Sequence, residues 1–128
     1  MVCLDTDIII NFLRNEESSV EFFNQLVNKG EEILTTSVNA FELWKGAYKS
    51  NKKEAFKAVN DFLSKCRVIY LDEASSKKTA EILQDLTLKG DIIDVLDIMI
   101  ASIAIINKES LKTNNKRHFE RINELKLI

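Results

Sequence analysis

The sequence contains no proline, three glycines and two cysteines among its 128 residues. It therefore has no linker rich in proline or glycine, and it shows no internal repeat or low-complexity segment, which favours a single domain over residues 1–128. Cys3 and Cys66 have apolar or amphipathic neighbours, and two such cysteines form neither a disulfide framework nor a zinc site. We expect both to be small buried hydrophobic residues in a protein of the reducing cytoplasm.

Long hydrophobic runs and an excess of basic charge are also missing. No apolar run is long enough to span a bilayer, and the first residues lack the charged region and cleavage site of a signal peptide. The net charge is −2, so binding of nucleic acid would need a local basic rim. Hydrophobic residues make up 45% and charged residues 30%, a balance that disfavours disorder.

Short apolar runs alternate with helical patterns along the chain. Runs typical of buried strands cover residues 1–4, 31–37, 67–71, 110–113 and, as an optional fifth, 125–128. Helical patterns cover residues 8–14, 18–30, 37–50, 51–66, 72–90, 92–107 and 116–122, with Ser18 and Asp72 as predicted N-caps. Almost every connection is long enough for a crossover. The pattern predicts an α/β three-layer sandwich, with a mostly parallel central sheet of four to five strands flanked by helices.

Acidic or amide side chains follow the predicted strand ends or lie near the start of a helix. They are Asp5 after the first strand, Glu42 in the helix after the second, Asp97 near the start of the most apolar helix, and Asn115 after the fourth strand. In an open parallel sheet, ligands bind beyond the carboxyl ends of the strands. We therefore expect these four side chains to meet at one edge of the sheet.

The apolar helix indicates what such a cluster binds. Asp94 and Asp97 are three residues apart and share a face among isoleucine, leucine and methionine. Carboxylates in such surroundings lose hydration and repel one another, which raises their pKa values. A hard divalent cation removes both problems, since Mg²⁺ and Mn²⁺ prefer oxygen ligands. The pattern predicts a sparse carboxylate site for Mg²⁺ or Mn²⁺.

Each acidic or amide residue also has a purely structural interpretation. Either Asp5 or Asp7 can cap the short helix that follows the first strand, and this role is sufficient to explain Asp7. Asp94 and Asp97 can simply favour the dipole of their helix. Asn115 can be a turn residue.

The same holds for the glutamate, the histidine and two aromatic residues. Glu42 can be a solvated helix residue. His118 is the only histidine, and we expect it to pack or to contact phosphate rather than to catalyse. We expect Trp44 and Tyr48 to lie in the core or in a dimer contact rather than to stack on bases. The joint placement of the four polar side chains, not any one of them, favours a site.

Four segments resemble, in order, the signature blocks of PIN-domain ribonucleases. They read "LDTDIII", "TSVNAFELWKGA", "GDIIDVLDIMIASIA" and "TNNKRHFERI". The likeness is greatest to the VapC-type toxins of prokaryotic toxin–antitoxin pairs and covers essentially the whole chain. It implies a PIN-like fold.

The resemblance also assigns roles to residues. It implies a catalytic set of Asp5, Glu42, Asp97 and Asn115, with Asp5 and Asp97 holding Mg²⁺ or Mn²⁺, and with Thr6, Asp94 and Thr113 in support. The sequence departs from the four-acid version of the family at Asn115, whose amide brings no charge. This departure leaves open whether one or two metal ions bind, and whether Asp94 supplies the missing charge.

The implied reaction is metal-assisted hydrolysis of RNA phosphodiester bonds. Glu42 would orient or deprotonate the attacking water. Candidate contacts for RNA phosphates are Lys45, Lys49, Lys116 and Arg117. The resemblance further implies a small antitoxin that blocks the site, and a homodimer. An apolar groove between the early helices would suit an inserted antitoxin helix, but the sequence does not locate it.

Three other functions remain open at this point. A HAD-like phosphatase would use Asp5 as a covalent nucleophile, although Gly90 follows a helical run where that fold needs a strand. A receiver-type signalling domain would be phosphorylated on Asp72, which instead has the features of a helix start. A catalytically inactive PIN interaction module would explain Asn115 as the mark of a lost site.

Overall fold

The computed structural model describes residues 1–91 and 93–128, in which a parallel four-stranded sheet is flanked by seven helices. The strands are β1 (Val2–Leu4), β2 (Ile33–Thr36), β3 (Arg67–Ile69) and β4 (Ser110–Lys112). Their order is β3-β2-β1-β4, and every neighbouring pair is parallel. The predicted α/β architecture with a parallel central sheet is confirmed.

Two helices connect each strand to the next, as a parallel sheet requires. They are α1 (Thr6–Leu13) and α2 (Glu17–Asn28), α3 (Ser37–Ser50) and α4 (Lys53–Lys65), and α5 (Glu73–Leu88) and α6 (Val95–Ile106), with α7 (Lys116–Phe119) after β4. The predicted start of the apolar helix at position 92 lies outside the described residues.

The helix N-termini show which capping predictions hold. The side chain of Asp72 accepts from Ser75 N at 2.9 Å, so its predicted capping role is confirmed. The prediction for Ser18 is wrong, because the side chain of Glu16 caps α2 and accepts from the backbone N of Ser18 and of Ser19. A glutamate two residues upstream thus satisfies the donors that a serine hydroxyl was expected to satisfy.

Alternate residues of β1 feed two hydrophobic cores, one on each face of the sheet. Val2 and Leu4 pack with α1, α2 and α4, whereas Cys3 packs with α5 and α6. Burial raises the pKa of the Cys3 thiol to about 12, and Cys66 is partly buried with a pKa raised by burial to about 11. Both thiols are therefore neutral, and the expected burial is confirmed for Cys3 and holds only in part for Cys66.

The C-terminal segment does not form the optional fifth strand. It makes one isolated parallel bridge, between Leu111 and Leu127. The backbone N of Leu125 still donates to Ile122 O at 3.1 Å, so the chain is in a turn where a strand would have to begin. The pairing that follows is confined to Leu111, whose backbone N donates to Lys126 O at 2.9 Å and whose O accepts from Ile128 N at 3.0 Å.

The order of the strands creates a crevice at one edge of the sheet. From β1 the chain proceeds to β2 and β3 on one side and then returns to place β4 on the other side of β1. The carboxyl ends of β1 and β4 therefore flank the point where the strand order reverses, which is where open α/β sheets bind ligands. In the described part of the chain, no helix is long and apolar enough to cross a membrane.

Candidate active site

Asp5 lies at this reversal point and is held there by hydrogen bonds. Its backbone N donates to Lys112 O at 3.0 Å, which joins the ends of β1 and β4. The side chain is buried; its Oδ1 accepts from Thr6 N at 2.8 Å and from Asn39 Nδ2 at 3.0 Å, and its Oδ2 accepts from Thr113 Oγ1 at 2.7 Å. A carboxylate offers about four acceptor positions, so Oδ2 keeps one position for a further partner.

Asn39 is a site residue that the sequence analysis missed. It is fully buried and forms a capping box with Thr36 at the start of α3. Its Oδ1 accepts from Thr36 N at 3.3 Å and from Thr36 Oγ1 at 2.7 Å. Since a backbone N can only donate, the amide group must turn its Nδ2 toward Asp5 and Thr6, where it donates at 3.0 and 2.9 Å. The spacing Thr36-x-x-Asn39 was the available signal.

Thr6 links Asn39 to the glutamate. Because Thr6 Oγ1 accepts from Asn39, its own proton is directed to Glu42 Oε1 at 2.8 Å. Glu42 is partly buried, and this loss of hydration raises its pKa. The hydrogen bond from Thr6 opposes that rise, and the negative charges of Asp5 and Asp97 add to it. Glu42 is therefore in the electrostatic range of both predicted metal ligands.

Asp97 lies in the first turn of α6, with its side chain 20% exposed. Desolvation raises its pKa, and the charges of Asp5 and Asp94 act in the same direction. Its Oδ2 is 3.4 Å from Nδ1 of His118, which lowers the pKa again. His118 does not pack in the core, because its side chain is 61% exposed and lies against Asp97. The other expectation, that it contacts phosphate, stays a prediction.

The two remaining aspartates have local partners. Asp94 is exposed and is the N-cap of α6, where its Oδ1 accepts from Leu96 N at 2.8 Å. Asp7 does more than the cap expected of it: its Oδ1 accepts from Ile8 N at 2.7 Å, and its Oδ2 accepts from Asn114 N at 3.0 Å. It thus ties α1 to the loop after β4. Burial, followed by the charge of Asp5, raises the pKa of Asp7.

The loop after β4 separates the two residues of the last signature block. Thr113 is buried and touches Asp5, and its Oγ1 also accepts from Asn115 N at 3.0 Å. The side chain of Asn115 is exposed. The candidate phosphate contacts are also exposed: Lys45, Lys49, Lys116 and Arg117.

The donor set fits a divalent cation that keeps much of its water. Asp5 and Asp97 offer hard oxygen donors, and the pKa of Asp97 is raised by lost hydration and by the charges of Asp5 and Asp94, both of which a cation would compensate. Within the ranges that the structure describes, no three aspartate, glutamate, histidine or cysteine side chains are grouped closely enough to enclose an ion. Mg²⁺ is commonly held by one or two carboxylates and several waters, so Asp5 and Asp97 would suffice as protein ligands, and the metal site stays a prediction.

An apolar groove lies beside this site, between α1, α3 and α4. Its volume is about 280 Å³, and Glu42 is among the residues that line it. The apolar lining includes Ile10, Leu13, Leu43 and Val59. It lies between early helices, where the sequence analysis expected an apolar groove that would suit an antitoxin helix.

The family follows from the comparison with known domains. The model of the PIN domain matches residues 2–125. The chain belongs to the PIN-domain family. The resemblance found in the sequence is thereby confirmed, over nearly the whole chain.

Curated PIN-domain relatives are VapC ribonucleases. The tRNA(fMet)-specific endonuclease VapC of Shigella flexneri is 37% identical over 125 residues, which cover 96% of this chain and 92% of that protein. Ribonuclease VapC2 of Rickettsia felis is 34% identical over 123 residues, covering 95% of this chain and 92% of its own length. These identities place the chain among the VapC-type PIN domains.

Solved structures agree with this placement. The structure of VapBC2 from Rickettsia felis bound to a promoter DNA fragment has a chain with a TM-score of 0.90 and 32% identity, with 100% of this chain and 98% of that chain covered. DNA-bound VapBC from Salmonella typhimurium gives a TM-score of 0.89 and 31% identity, with coverage of 99% and 96%. The PIN-like fold prediction is confirmed.

The structure also bears on two of the alternative functions. Gly90 follows helix α5 and not a strand, so the second acidic motif of a HAD-like phosphatase has no strand to follow. Asp72 is exposed and engaged as the N-cap of α5. Neither the phosphatase nor the receiver domain fits these placements.

Proposed function

We propose that this PIN domain, over residues 1–128, is a metal-dependent endoribonuclease of the VapC toxin type that hydrolyses RNA phosphodiester bonds. One observation carries the proposal. Asp5 is buried at the reversal point of the sheet, with three donors fixing its carboxylate and one acceptor position left on Oδ2. A structural cap does not need the additional acidic neighbours Glu42 and Asp97, whose pKa values are raised by burial and by the negative charge of Asp5.

In this proposal Asp5 and Asp97 hold Mg²⁺ or Mn²⁺, directly or through water. When bound, the ion supplies an acidified water and neutralises charge on the phosphoryl oxygens. Thr113 and Asn39 keep the Asp5 carboxylate oriented through their hydrogen bonds to it. The exposed cap Asp94 adds negative charge near Asp97.

Glu42 is the residue that orients or deprotonates the attacking water. Its raised pKa makes it a better proton acceptor than an ordinary glutamate, and the hydrogen bond from Thr6 fixes the position of Oε1. Asn115 would orient a water through its side-chain carbonyl, for which its exposure leaves it available. Since water attacks and not the ribose 2′-hydroxyl, the products carry 5′-phosphate and 3′-hydroxyl ends.

Asp5, Glu42 and Asp97 form an acidic rim, so the RNA backbone needs cations close to it. Lys45 lies one helical turn beyond Glu42, and its charge lowers the pKa of Glu42. Lys49 follows one turn later on the same helix, and Lys116 and Arg117 begin the helix after Asn115. These four exposed side chains are the proposed phosphate contacts.

An antitoxin helix is the proposed occupant of the apolar groove between α1, α3 and α4. The Rickettsia felis and Salmonella typhimurium neighbours are VapBC assemblies, and the groove offers an apolar surface of the kind that receives an amphipathic helix. Because Glu42 lines the groove, a bound helix would lie against this catalytic side chain. The antitoxin would thus block access of RNA.

The chain is also proposed to form a homodimer in the cytoplasm, where its RNA substrate is. Exposed aromatic side chains support an interface of this kind. Tyr48 is 71% exposed and packs edge-on against Phe56, and Tyr70 is 69% exposed. Aromatic residues are enriched at protein interfaces.

Cleavage of single-stranded RNA tests the proposal. The purified chain is incubated with total RNA and Mg²⁺ or Mn²⁺, or with EDTA, and the RNA ends are sequenced. We expect discrete cuts with 5′-phosphate ends, no cuts in EDTA, and no cuts by Asp5→Asn. The matched control is Asp61→Asn, because Asp61 is an exposed acid on α4 paired with Lys57, and this variant should cut like the wild type.

Two results would contradict the proposal. Cleavage by Asp5→Asn at the wild-type rate would show that the acidic rim is not the catalytic site. A folded wild-type chain that cuts no RNA under any metal, yet binds an antitoxin helix, would instead identify the inactive interaction module.

A further inference from the structure

A polar cavity of about 240 Å³ lies next to the acidic rim and has no role in the function proposed above. One wall comes from α2, including Phe22 and Gln25, and the other comes from Lys112 and Asn114 around the end of β4. Its volume corresponds to roughly eight waters. A pyrimidine base has a similar number of heavy atoms, so the cavity is large enough for one base.

The cavity is joined to the site by residues on both sides of Thr113. Lys112 O accepts from the backbone N of Asp5 at 3.0 Å, and Asn114 N donates to Asp7 Oδ2 at 3.0 Å. Thr113, between them, donates to Asp5 itself. Two residues that line the cavity thus flank, in sequence, the threonine that contacts the Asp5 carboxylate of the proposed reaction.

The ammonium of Lys112 is placed to meet an anion there. Nζ lies 5.0 Å from the centroid of the Phe22 ring, a contact that holds the side chain without neutralising its charge. Among the described residues, no carboxylate forms an ion pair with Lys112. Of the described residues that line the cavity, this partly buried lysine is the only cation and Glu21 is the only anion.

The amides of Gln25 and Asn114 are exposed to the same space. Each amide presents both donors and an acceptor, and the carboxylate of Glu21 adds an acceptor. Proteins recognise single-stranded RNA by taking up unstacked bases and hydrogen-bonding their edges. To bind one nucleotide of single-stranded RNA, a site needs a cation for the phosphate and polar groups for the edges of the base, and this cavity offers both.

We propose that this cavity is a nucleotide subsite, in which Lys112 binds the phosphate next to the cleaved bond while Gln25 and Asn114 contact the base of that nucleotide. The inference rests on the proposed ribonuclease function and adds a source of its sequence preference. Lys112 is a binding residue and takes no part in the bond cleavage.

The test measures RNA binding in EDTA, where no cleavage occurs, and cleavage in Mg²⁺. Lys112→Gln removes the charge and keeps much of the stem on Phe22. The matched control is Lys57→Gln, an exposed lysine on α4. We expect Lys112→Gln to weaken RNA binding about three- to tenfold and to reduce the slope of log Kd against log salt by about 0.7, the contribution of one phosphate contact to a single strand. KM should rise with kcat nearly unchanged, since binding is lost equally in the ground and transition states.

A second measurement addresses the base and needs no charge change. An abasic nucleotide is moved along the positions flanking the cut. At one position it should weaken binding to the wild type severalfold, and the same substitution should have no such effect on Gln25→Ala. Photocrosslinking of the unmodified chain to RNA carrying 4-thiouridine at that position should label residues 17–28 or 110–115.

The outcomes separate the subsite from the ribonuclease. If the wild type cuts RNA but Lys112→Gln matches Lys57→Gln in affinity and salt slope, and crosslinks fall elsewhere, the subsite is wrong and the ribonuclease stands. If the wild type neither binds nor cuts RNA, both are wrong. Crosslinks to the cavity peptides together with the position-specific abasic effect would support the subsite, even if Lys112→Gln failed to fold.

Discussion

Replacing Thr113 by valine tests how the site holds its buried carboxylate. Valine keeps the shape of threonine and removes only the hydroxyl, which donates to Asp5 Oδ2 at 2.7 Å in a fully buried contact. No other donor to this oxygen occurs in the part of the chain that the structure describes. The variant therefore leaves one oxygen of a buried carboxylate without a partner and removes the acceptor of the partly buried Asn115 N, while Oδ1 keeps its bonds from Thr6 and Asn39.

The expected loss can be worked out from this contact. A hydrogen bond to a charged group contributes about 1.5–3 kcal/mol. For 128 residues, the entropy of unfolding is roughly 270 cal/mol/K, so each kcal/mol lowers Tm by roughly 4 °C. We expect Thr113→Val to melt roughly 6–11 °C below the wild type in EDTA. Thr113→Ser, which keeps the hydroxyl and loses one methyl group, should melt only roughly 3–4 °C lower.

RNA cleavage should depend on the hydroxyl group of Thr113 and not on its methyl group. A small misplacement of a catalytic group costs on the order of 100-fold in rate, so we expect kcat/KM for RNA cleavage to fall at least tenfold in Thr113→Val and little in Thr113→Ser. Thermal melts by circular dichroism and cleavage of one labelled RNA measure both effects. If the valine variant melts and cleaves like the wild type, or if serine is the worse of the two, the bond to Thr113 does not hold Asp5.

Further predictions concern the other members of the network. Glu42→Gln keeps an acceptor for Thr6 and removes a charge whose pKa burial has raised; RNA cleavage should be lost, while Tm in EDTA at pH 7 should rise. Burial also raises the pKa of Asp97, so the carboxyl groups of Glu42 and Asp97 bind their protons more tightly in the folded chain than in the unfolded chain. The contribution of these two groups to the free energy of unfolding therefore falls as the pH rises from about 4 through their raised pKa values. Mg²⁺ should therefore raise Tm more at pH 7 than at pH 5, and less in Asp97→Asn. Asn39→Asp replaces the donor to Asp5 by a second carboxylate; it should lower Tm in EDTA by several degrees and weaken cleavage, whereas Asn24→Asp, on an exposed part of α2, should do neither.

The sheet and the site edge were predictable because each is encoded locally. Strand-length apolar runs alternate with helical patterns, and this alternation allows little except a parallel sheet. Once the strands are parallel, residues that follow their carboxyl ends must share an edge, and Asp5 and Thr113 do meet there at 2.7 Å. The prediction that the acidic side chains share this edge therefore required no knowledge of any single contact.

The missed features depend on contacts between distant segments. Asn39 has the spacing of an ordinary capping residue, and only the packing of α3 against β1 turns its Nδ2 toward Asp5, 34 positions away. His118 was expected to pack or to contact phosphate, and the placement of α7 beside α6 brings it to Asp97. Capping by Glu16 replaced Ser18 because a longer side chain two residues upstream can reach the same backbone donors. Local pattern alone does not distinguish such cases.

The account rests on the claim that Asp5 and Asp97 share one divalent ion at the edge of the sheet. Anomalous diffraction from crystals of this chain soaked in Mn²⁺ tests it most directly. We predict a manganese peak between the two carboxylates, within direct or water-mediated reach of both, that is lost in Asp5→Asn and kept in Asp61→Asn. A peak bound elsewhere, or no peak at Mn²⁺ concentrations that support RNA cleavage, would contradict the claim.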